Sequence, residues 1–114
     1  YAPMIRKEAG AIDWRQDAAT IDRLVRAMTP WPGAYTFWAG ESLKVLSARP
    51  ISGPQQAGEP GLVTTGAEGL TVAAGEGSVV LEVVQLPGKR PTAAADFARG
   101  RPDFIGSILT QPPA

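Results

Sequence analysis

The stretch AYTFWAGESLKVLSA, residues 34 to 48, decides the fold of this chain. Its first five residues favour a β-strand because aromatic and β-branched side chains suit a pleated sheet. Ala39 and Gly40 then supply a turn, and the residues from Ser42 to Ala48 alternate in polarity. The sequence therefore predicts a β-hairpin whose second strand turns one side inward, with Leu43, Val45 and Ser47.

A helix is predicted immediately before this hairpin. Apolar residues recur there at i, i+3, i+4 and i+7, which is the spacing of one helical stripe. Asp17 is placed to cap the first turn, and Pro30 and Pro32 end the helix. A tight corner at residues 31 to 33 leads into the first strand. The stripe is Ile21, Leu24, Val25 and Met28, and the opposite face carries Asp22, Arg23 and Arg26.

Short strands and turns follow the hairpin. Glycine and proline make residues 50 to 61 an exposed loop, and turn residues then separate three further strands. Pro91 and Gly100 bound a short helix predicted from Thr92 to about Arg99, and the tail from Thr110 is expected to fray. We predict a mainly β fold: a small five-stranded OB-like barrel with an N-terminal helix and a short C-terminal helix. The last three strands are Leu62 to Thr65, Leu70 to Ala73 and Ser78 to Gln85.

The composition argues against an independent catalytic site. The chain of 114 residues, 44% of them apolar, is long enough for one core, but it contains no His and no Cys. It therefore lacks the usual general base, the commonest metal ligand and a thiolate nucleophile. We expect no catalytic residue and no metal site. The first residue is Tyr1, which indicates a piece of a longer protein, and no apolar run reaches the length of a membrane span, which favours a cytoplasmic location.

The net charge of zero hides an uneven distribution. Residues 1 to 50 contain seven basic and five acidic residues, and residues 83 to 114 contain four basic and two acidic residues. Residues 51 to 82 contain four glutamates and no basic residue. If the two terminal segments meet in space, they form a basic face with the acidic middle turned elsewhere. Solvated charges without a partner are the alternative.

Two separated motifs resemble the C-terminal domain of bacterial methionyl-tRNA formyltransferases. The first comprises Ile12-Asp13-Trp14, the segment from Ile21 to Ala27, and the segment from Thr29 to Thr36. The second is Leu86-Pro87-Gly88-Lys89-Arg90-Pro91, followed by residues 96 to 100 and a short apolar tail. Order and spacing match over nearly the whole chain except the central loop.

The resemblance implies an accessory domain of a two-domain enzyme. Residues 1–12 would be a linker or arm, residues 13–110 the OB-like domain and residues 111–114 a tail. An N-terminal Rossmann-like domain, absent from this chain, would bind 10-formyltetrahydrofolate and transfer the formyl group to methionine on the initiator tRNA. The family's catalytic Asn, His and Asp lie in that domain, so none is carried over to this chain.

The resemblance also implies contact with tRNA, because basic residues of the family's linker and C-terminal domain bind it. Lys7 stands where a linker lysine is expected and is the best single candidate, although Pro3 and Met4 occupy positions that carry further lysines in some relatives. Arg26 has a structural alternative, a salt bridge to Asp22 one turn away. The candidate tRNA-binding residues are Arg6, Lys7, Arg23, Arg26, Lys44, Lys89 and Arg90.

The sequence leaves alternatives open for the role of the aromatic residues and for the function of the domain. Tyr35, Phe37 and Trp38 are expected to fill the core, and a base-stacking platform is the alternative. Trp14 and Trp31 are expected to pack around the helix and the corner. The competing functions are the equivalent domain of a related folate-dependent formyltransferase without an RNA role, and a module that only stabilises the catalytic domain.

Overall fold

A computed structural model of the chain describes residues 10–28, 33–51, 59–66 and 69–110. A short 3-10 helix, Pro102–Phe104, follows the last α-helix. No helix among the described residues has the length and apolar character needed to cross a membrane. The elements are α1 (Ala18–Met28), β1 (Ala34–Trp38), β2 (Glu41–Ile51), β3 (Val63–Gly66), β4 (Gly69–Ala73), β5 (Ser78–Gln85), β6 (Thr92–Ala93) and α2 (Ala94–Gly100).

The strands form one antiparallel sheet in the order β1-β2-β5-β4-β3, with β6 paired to β5. The segment 106–110 bonds to both edges of this sheet. Phe37 and Thr110 exchange two backbone hydrogen bonds of 2.9 and 3.0 Å, and Val63 bonds to Gly106 and Ser107 on the other edge. This segment takes the place of a direct ladder between β1 and β3. The mainly β, OB-like prediction is confirmed, with β6 as an additional short strand.

The hairpin at residues 34 to 48 forms as predicted, except at one position. Ala39 and Gly40 both have positive φ, 52° and 82°, as a tight two-residue hairpin turn requires. A register shift between Val45 and Ser47 interrupts the alternation of β2. The prediction that Ser47 points inward is wrong because the bulge turns it out, where its hydroxyl bonds to Glu82 Oε1 at 2.7 Å.

Helix α1 follows the predicted stripe and cap. Asp17 Oδ1 accepts a hydrogen bond of 3.0 Å from the Thr20 backbone N–H, and Ile21 and Val25 are buried. The placement of Asp22 on the solvent face is wrong, since only 6% of this residue is exposed. Asp22 lies at the edge of the buried stripe and pairs with Arg26 Nη2 at 2.9 Å, which compensates its charge.

Three boundaries differ from the sequence prediction for tertiary reasons. β2 continues to Ile51 because Pro50 pairs with Val79 of β5, so the loop expected from residue 50 starts later. Thr92 and Ala93 pair with β5, so α2 starts at Ala94. The backbone of Thr110 is held by β1 and is not frayed. Residues 52–58 of the expected loop and the tail at residues 111–114 lie outside the described residues.

An aromatic cluster fills one part of the core. Trp38, Phe97 and Phe104 meet edge to face, with ring centroids 5.0 to 5.7 Å apart. Trp14 is also buried, and its Nε1 donates to Thr36 Oγ1 at 2.9 Å, which in turn donates to the carbonyl of Thr110 at 2.9 Å. The packing role predicted for Trp14 and Trp38 is confirmed, and Trp31 lies outside the described residues.

Candidate nucleic-acid interface

The two ends of the barrel carry different charged residues. Helix α1 and strand β5 both start at one end, and α1 finishes at the other. Near the start of both elements, Ala18 N–H donates to the carbonyl of Glu76 at 2.9 Å. At the other end of α1, the carbonyl of Met28 accepts from Gly33 N–H at 2.8 Å, and Gly33 lies under the side chain of Lys44. We call the residues Asp13, Arg15, Asp17, Gly75 and Glu76 the Glu76 end, and the residues Lys44, Gln85–Arg90 and Arg101 the Lys89 end.

The Lys89 end joins the first and last parts of the chain. Lys44 of β2 pairs with Gln85 of β5, and Gln85 Nε2 donates to the carbonyl of Lys89 at 2.7 Å. Lys89 N–H in turn donates to the carbonyl of Leu86 at 3.1 Å, which closes the turn after β5. The charge distribution predicted such a meeting of the basic segments, and it occurs between β2 and this turn.

The cations of the Lys89 end have no nearby counter-charge among the described residues. Two shallow depressions flank the turn, and neither is lined by a carboxylate in the part of the chain that the structure describes. Within the same residues, Lys44, Lys89 and Arg90 form no ion pair. Uncompensated cations on one surface create a positive potential that attracts anions.

Arg101 is a fourth cation at this end, and the sequence analysis missed it. It lines one depression with Lys89 and Arg90, and its guanidinium carbon lies 4.7 Å from the centroid of the Phe97 ring. The spacing of four residues between Phe97 and Arg101 at a helix end is a signal that would have indicated this contact. Arg99 differs because it pairs with Asp96 at 3.0 Å.

The two helical candidates have separate environments. Arg26 lies in the last turn of α1, toward the Lys89 end, and its predicted salt bridge to Asp22 is confirmed, although its side chain is 72% exposed. Arg23 Nη2 donates to Thr20 Oγ1 at 3.3 Å, so it turns back toward the start of the helix. Neither Arg26 nor Arg23 lines the two depressions of the Lys89 end, so among the described residues the structure does not bring either arginine together with Lys44, Lys89 and Arg90. Arg6 and Lys7 lie outside the described residues.

The Glu76 end uses its charges for local structure. Asp13 accepts hydrogen bonds from Arg15 at 3.0 and 3.1 Å, and the Arg15 side chain lowers the pKa of Asp13 below its usual 3.8. Hydrogen bonds from the hydroxyl and N–H of Thr20 lower the pKa of Asp17. Among the described residues, no group of three His, Cys, Asp or Glu side chains is arranged to hold a metal ion.

Comparison with known proteins defines the family. The sequence profile of the formyl transferase C-terminal domain matches residues 4–102. This chain belongs to that family. Its similarity to solved structures includes HypX from Aquifex aeolicus in complex with tetrahydrofolic acid, with a TM-score of 0.69 and 23% identity over 90% of this chain and 18% of that chain. At this identity the likeness shows a shared fold.

Curated relatives of this formyl transferase C-terminal domain are methionyl-tRNA formyltransferases. The chain is 48% identical to that of Roseiflexus castenholzii over 88% of its own length and 32% of the relative. It is 50% identical to that of Geotalea daltonii over 96% of its length and 34% of the relative. The chain therefore spans about a third of the length of these relatives.

Proposed function

We propose that this chain is the tRNA-holding C-terminal domain of a methionyl-tRNA formyltransferase that acts in translation initiation. In this proposal the Lys89 end binds phosphates of the initiator methionyl-tRNA. A preceding catalytic domain of the same cytoplasmic polypeptide binds 10-formyltetrahydrofolate and formylates the methionine. This chain contributes binding and no catalytic residue.

The observation that carries the proposal is the convergence of unpaired cations. Lys44, Lys89 and Arg90 come from distant parts of the sequence, and they meet without a carboxylate partner among the described residues. Lysine and arginine contacts to phosphates supply most of the sequence-independent affinity of proteins for nucleic acids. The names of the relatives supply the identity of the RNA, since they are methionyl-tRNA formyltransferases.

Arg6, Lys7 and Arg23 stay candidates on different grounds. Arg6 and Lys7 precede the described residues and would extend the interface along the linker, where the resemblance to the family implies basic residues. Arg23 is exposed on α1, one turn before Arg26, and would add a peripheral phosphate contact. Lys7 stays the best single candidate, and Arg23 is expected to contribute less than the cations of the Lys89 end because it turns back toward Thr20.

A salt titration of this chain with initiator tRNA tests the proposal. We expect weak binding that falls steeply with salt, because each phosphate contact contributes roughly 0.7 to 0.9 to the slope of log K against log salt. A Lys89→Ala/Arg90→Ala variant should have a slope smaller by roughly one to two units, and Lys7→Ala by up to about one. Absence of salt-dependent binding at low ionic strength would contradict the RNA-holding role.

A structural role without RNA binding is the second candidate, and an exposed apolar pair favours it. Ile105 and Ile108 are each 42% exposed, and backbone hydrogen bonds of their neighbours Gly106 and Leu109 to Val63 and Gly61 hold the segment in place. This pair would pack against the catalytic domain that accounts for the additional length of the relatives. Retained formylation of methionyl-tRNA by the catalytic domain alone would favour this structural role over tRNA holding. A catalytic domain that becomes heat-labile but keeps normal tRNA affinity would favour it as well.

A further inference from the structure

The outer face of the sheet carries a row of three side chains next to the Lys89 end. Tyr35 of β1 pairs with Lys44 of β2, and Lys44 pairs with Gln85 of β5. Residues that are directly opposite each other in neighbouring strands share a face, with Cβ atoms about 4.5 to 5.5 Å apart. An aromatic ring, a cation and an amide therefore lie side by side across three strands.

β1 divides its aromatic residues between the two faces of the sheet. Trp38 points inward with Ala34 and Thr36, whereas Tyr35 and Phe37 are only half-buried on the outer face. The ring centroids of Tyr35 and Phe37 are 6.4 Å apart, with planes inclined by 52°. The expectation that all three aromatics fill the core is therefore wrong for Tyr35 and Phe37, because the strand alternates them with the buried positions.

Short side chains lie beside these two rings. On the side of β1 away from β2, Ala11 forms a backbone bridge with Tyr35 and Thr110 forms one with Phe37. On the other side, Phe37 pairs with Ser42 of β2. Aromatic side chains that are only half-buried at a protein surface are the kind on which nucleic-acid bases stack.

A depression of about 220 Å³ adjoins this row. The Lys44 side chain crosses Gly33, where an added Cβ would lie 3.0 Å from Lys44 Cε, so the lysine stem has a defined course. The amide nitrogen of Gln85 bonds to the carbonyl of Lys89, whereas its amide oxygen accepts no hydrogen bond from a described residue. The depression is lined by Ser42, Lys44, Gln85, Leu86, Pro87 and Gly88.

We propose that Tyr35 and Phe37 form a stacking site for an unpaired nucleotide, whose phosphate is bound by Lys44. The inference rests on the proposed function and deepens it. Single-stranded nucleic acids combine flat bases with a repeated anion, and this face offers aromatic rings next to a cation that has no ion pair among the described residues. A partner protein with exposed carboxylates would satisfy Lys44 but would not match the two rings as well as a base does.

The test compares stacking variants with charge variants of this chain. The probe is a fluorescently labelled hexamer of adenosine, with an RNA duplex of equal length beside it. We expect tighter binding of the single strand, and a loss of roughly 5- to 150-fold per stacked base for Phe37→Leu and Tyr35→Leu. Their salt slope should stay unchanged, whereas Lys44→Gln should lower the slope by roughly one.

Two further variants separate stacking from folding. Tyr35→Phe keeps the ring and should retain the affinity for the hexamer, and Ile51→Ala at the opposite end of β2 should do the same. The Tm of every variant is measured to exclude unfolded protein. If the Lys89→Ala/Arg90→Ala variant loses tRNA while both leucine variants bind the hexamer normally, the stacking site is refuted and the proposed function stands. If the chain binds no RNA, both fail.

Discussion

The two ends of the barrel use charged residues in opposite ways. At the Glu76 end, Asp13 is bonded to Arg15 and Asp17 caps α1, so these two carboxylates take part in local structure. At the Lys89 end, Lys44, Lys89 and Arg90 lie together without an ion pair among the described residues. Paired surface charges stabilise a fold only slightly, whereas like charges that lie together repel one another unless an anion compensates them. Under the proposed function, the Glu76 end serves folding and the Lys89 end serves binding.

The largest expected loss of stability comes from a substitution in the aromatic cluster that packs behind the Lys89 end. Phe104 is fully buried between Trp38 and Phe97, and the Phe97 ring supports Arg101. Phe104→Ala should lower the free energy of unfolding by about 3 to 5 kcal/mol, because it removes a large side chain and leaves a cavity. Urea unfolding measures this loss. A change under about 1 kcal/mol would mean that the cluster does not support this end.

A smaller loss of stability is expected at the Glu76 end, where the backbone of Gly75 lies against the backbone of Arg15. A Cβ added at Gly75 would lie 1.8 Å from the carbonyl oxygen of Arg15, which no rotamer change relieves. Gly75→Ala should therefore lower the free energy of unfolding by about 1 to 3 kcal/mol through overpacking. Gly100→Ala is the matched control, since nothing lies within 4 Å of its added Cβ. Equal stability of the two variants would show that the approach at Gly75 is not constrained.

The smallest effect concerns pH and the cap of α1. The pKa of Asp17 is lowered by the hydroxyl and the N–H of Thr20, so its stabilising contribution is complete above the usual 3.8 and is lost as pH falls through the lower folded value. Asp17→Ala should lower the Tm at about pH 5, and this difference should shrink toward about pH 2. A Tm difference that is constant over this range would contradict the claim that the ionised Asp17 carboxylate caps α1.

Local patterns were sufficient to predict most of the fold. The β-forming residues of β1, the Ala39-Gly40 turn and the stripe of α1 each follow from side chains a few residues apart, and all appear in the structure. The wrong predictions concern residues whose positions depend on partners that are far away in the sequence. Ser47 turns outward at a bulge that pairing with β5 creates, and Thr92 is a strand residue because β5 is beside it.

The candidate site was predictable in charge but not in geometry. Basic segments at both ends of the sequence predicted a basic face, yet only the pairing of Lys44 with Gln85 determines which cations meet. Arg101 was missed because its position depends on the fold of α2 against β5. Asp22 was misplaced because it lies one helical turn from both Ala18 and Val25 and so shares the buried face with them, and its ion pair makes the burial tolerable.

Amide chemical shifts of this chain during titration with initiator tRNA test the central claim most directly. NMR spectra report each backbone N–H separately, so they distinguish the two ends of the barrel in one experiment. We predict shift changes at Lys44, Gln85, Lys89 and Arg90 that disappear at high salt, with Arg15, Gly75 and Glu76 unaffected. Shift changes centred on the Glu76 end, or none at low salt, would contradict the assignment of the Lys89 end as the RNA-binding surface.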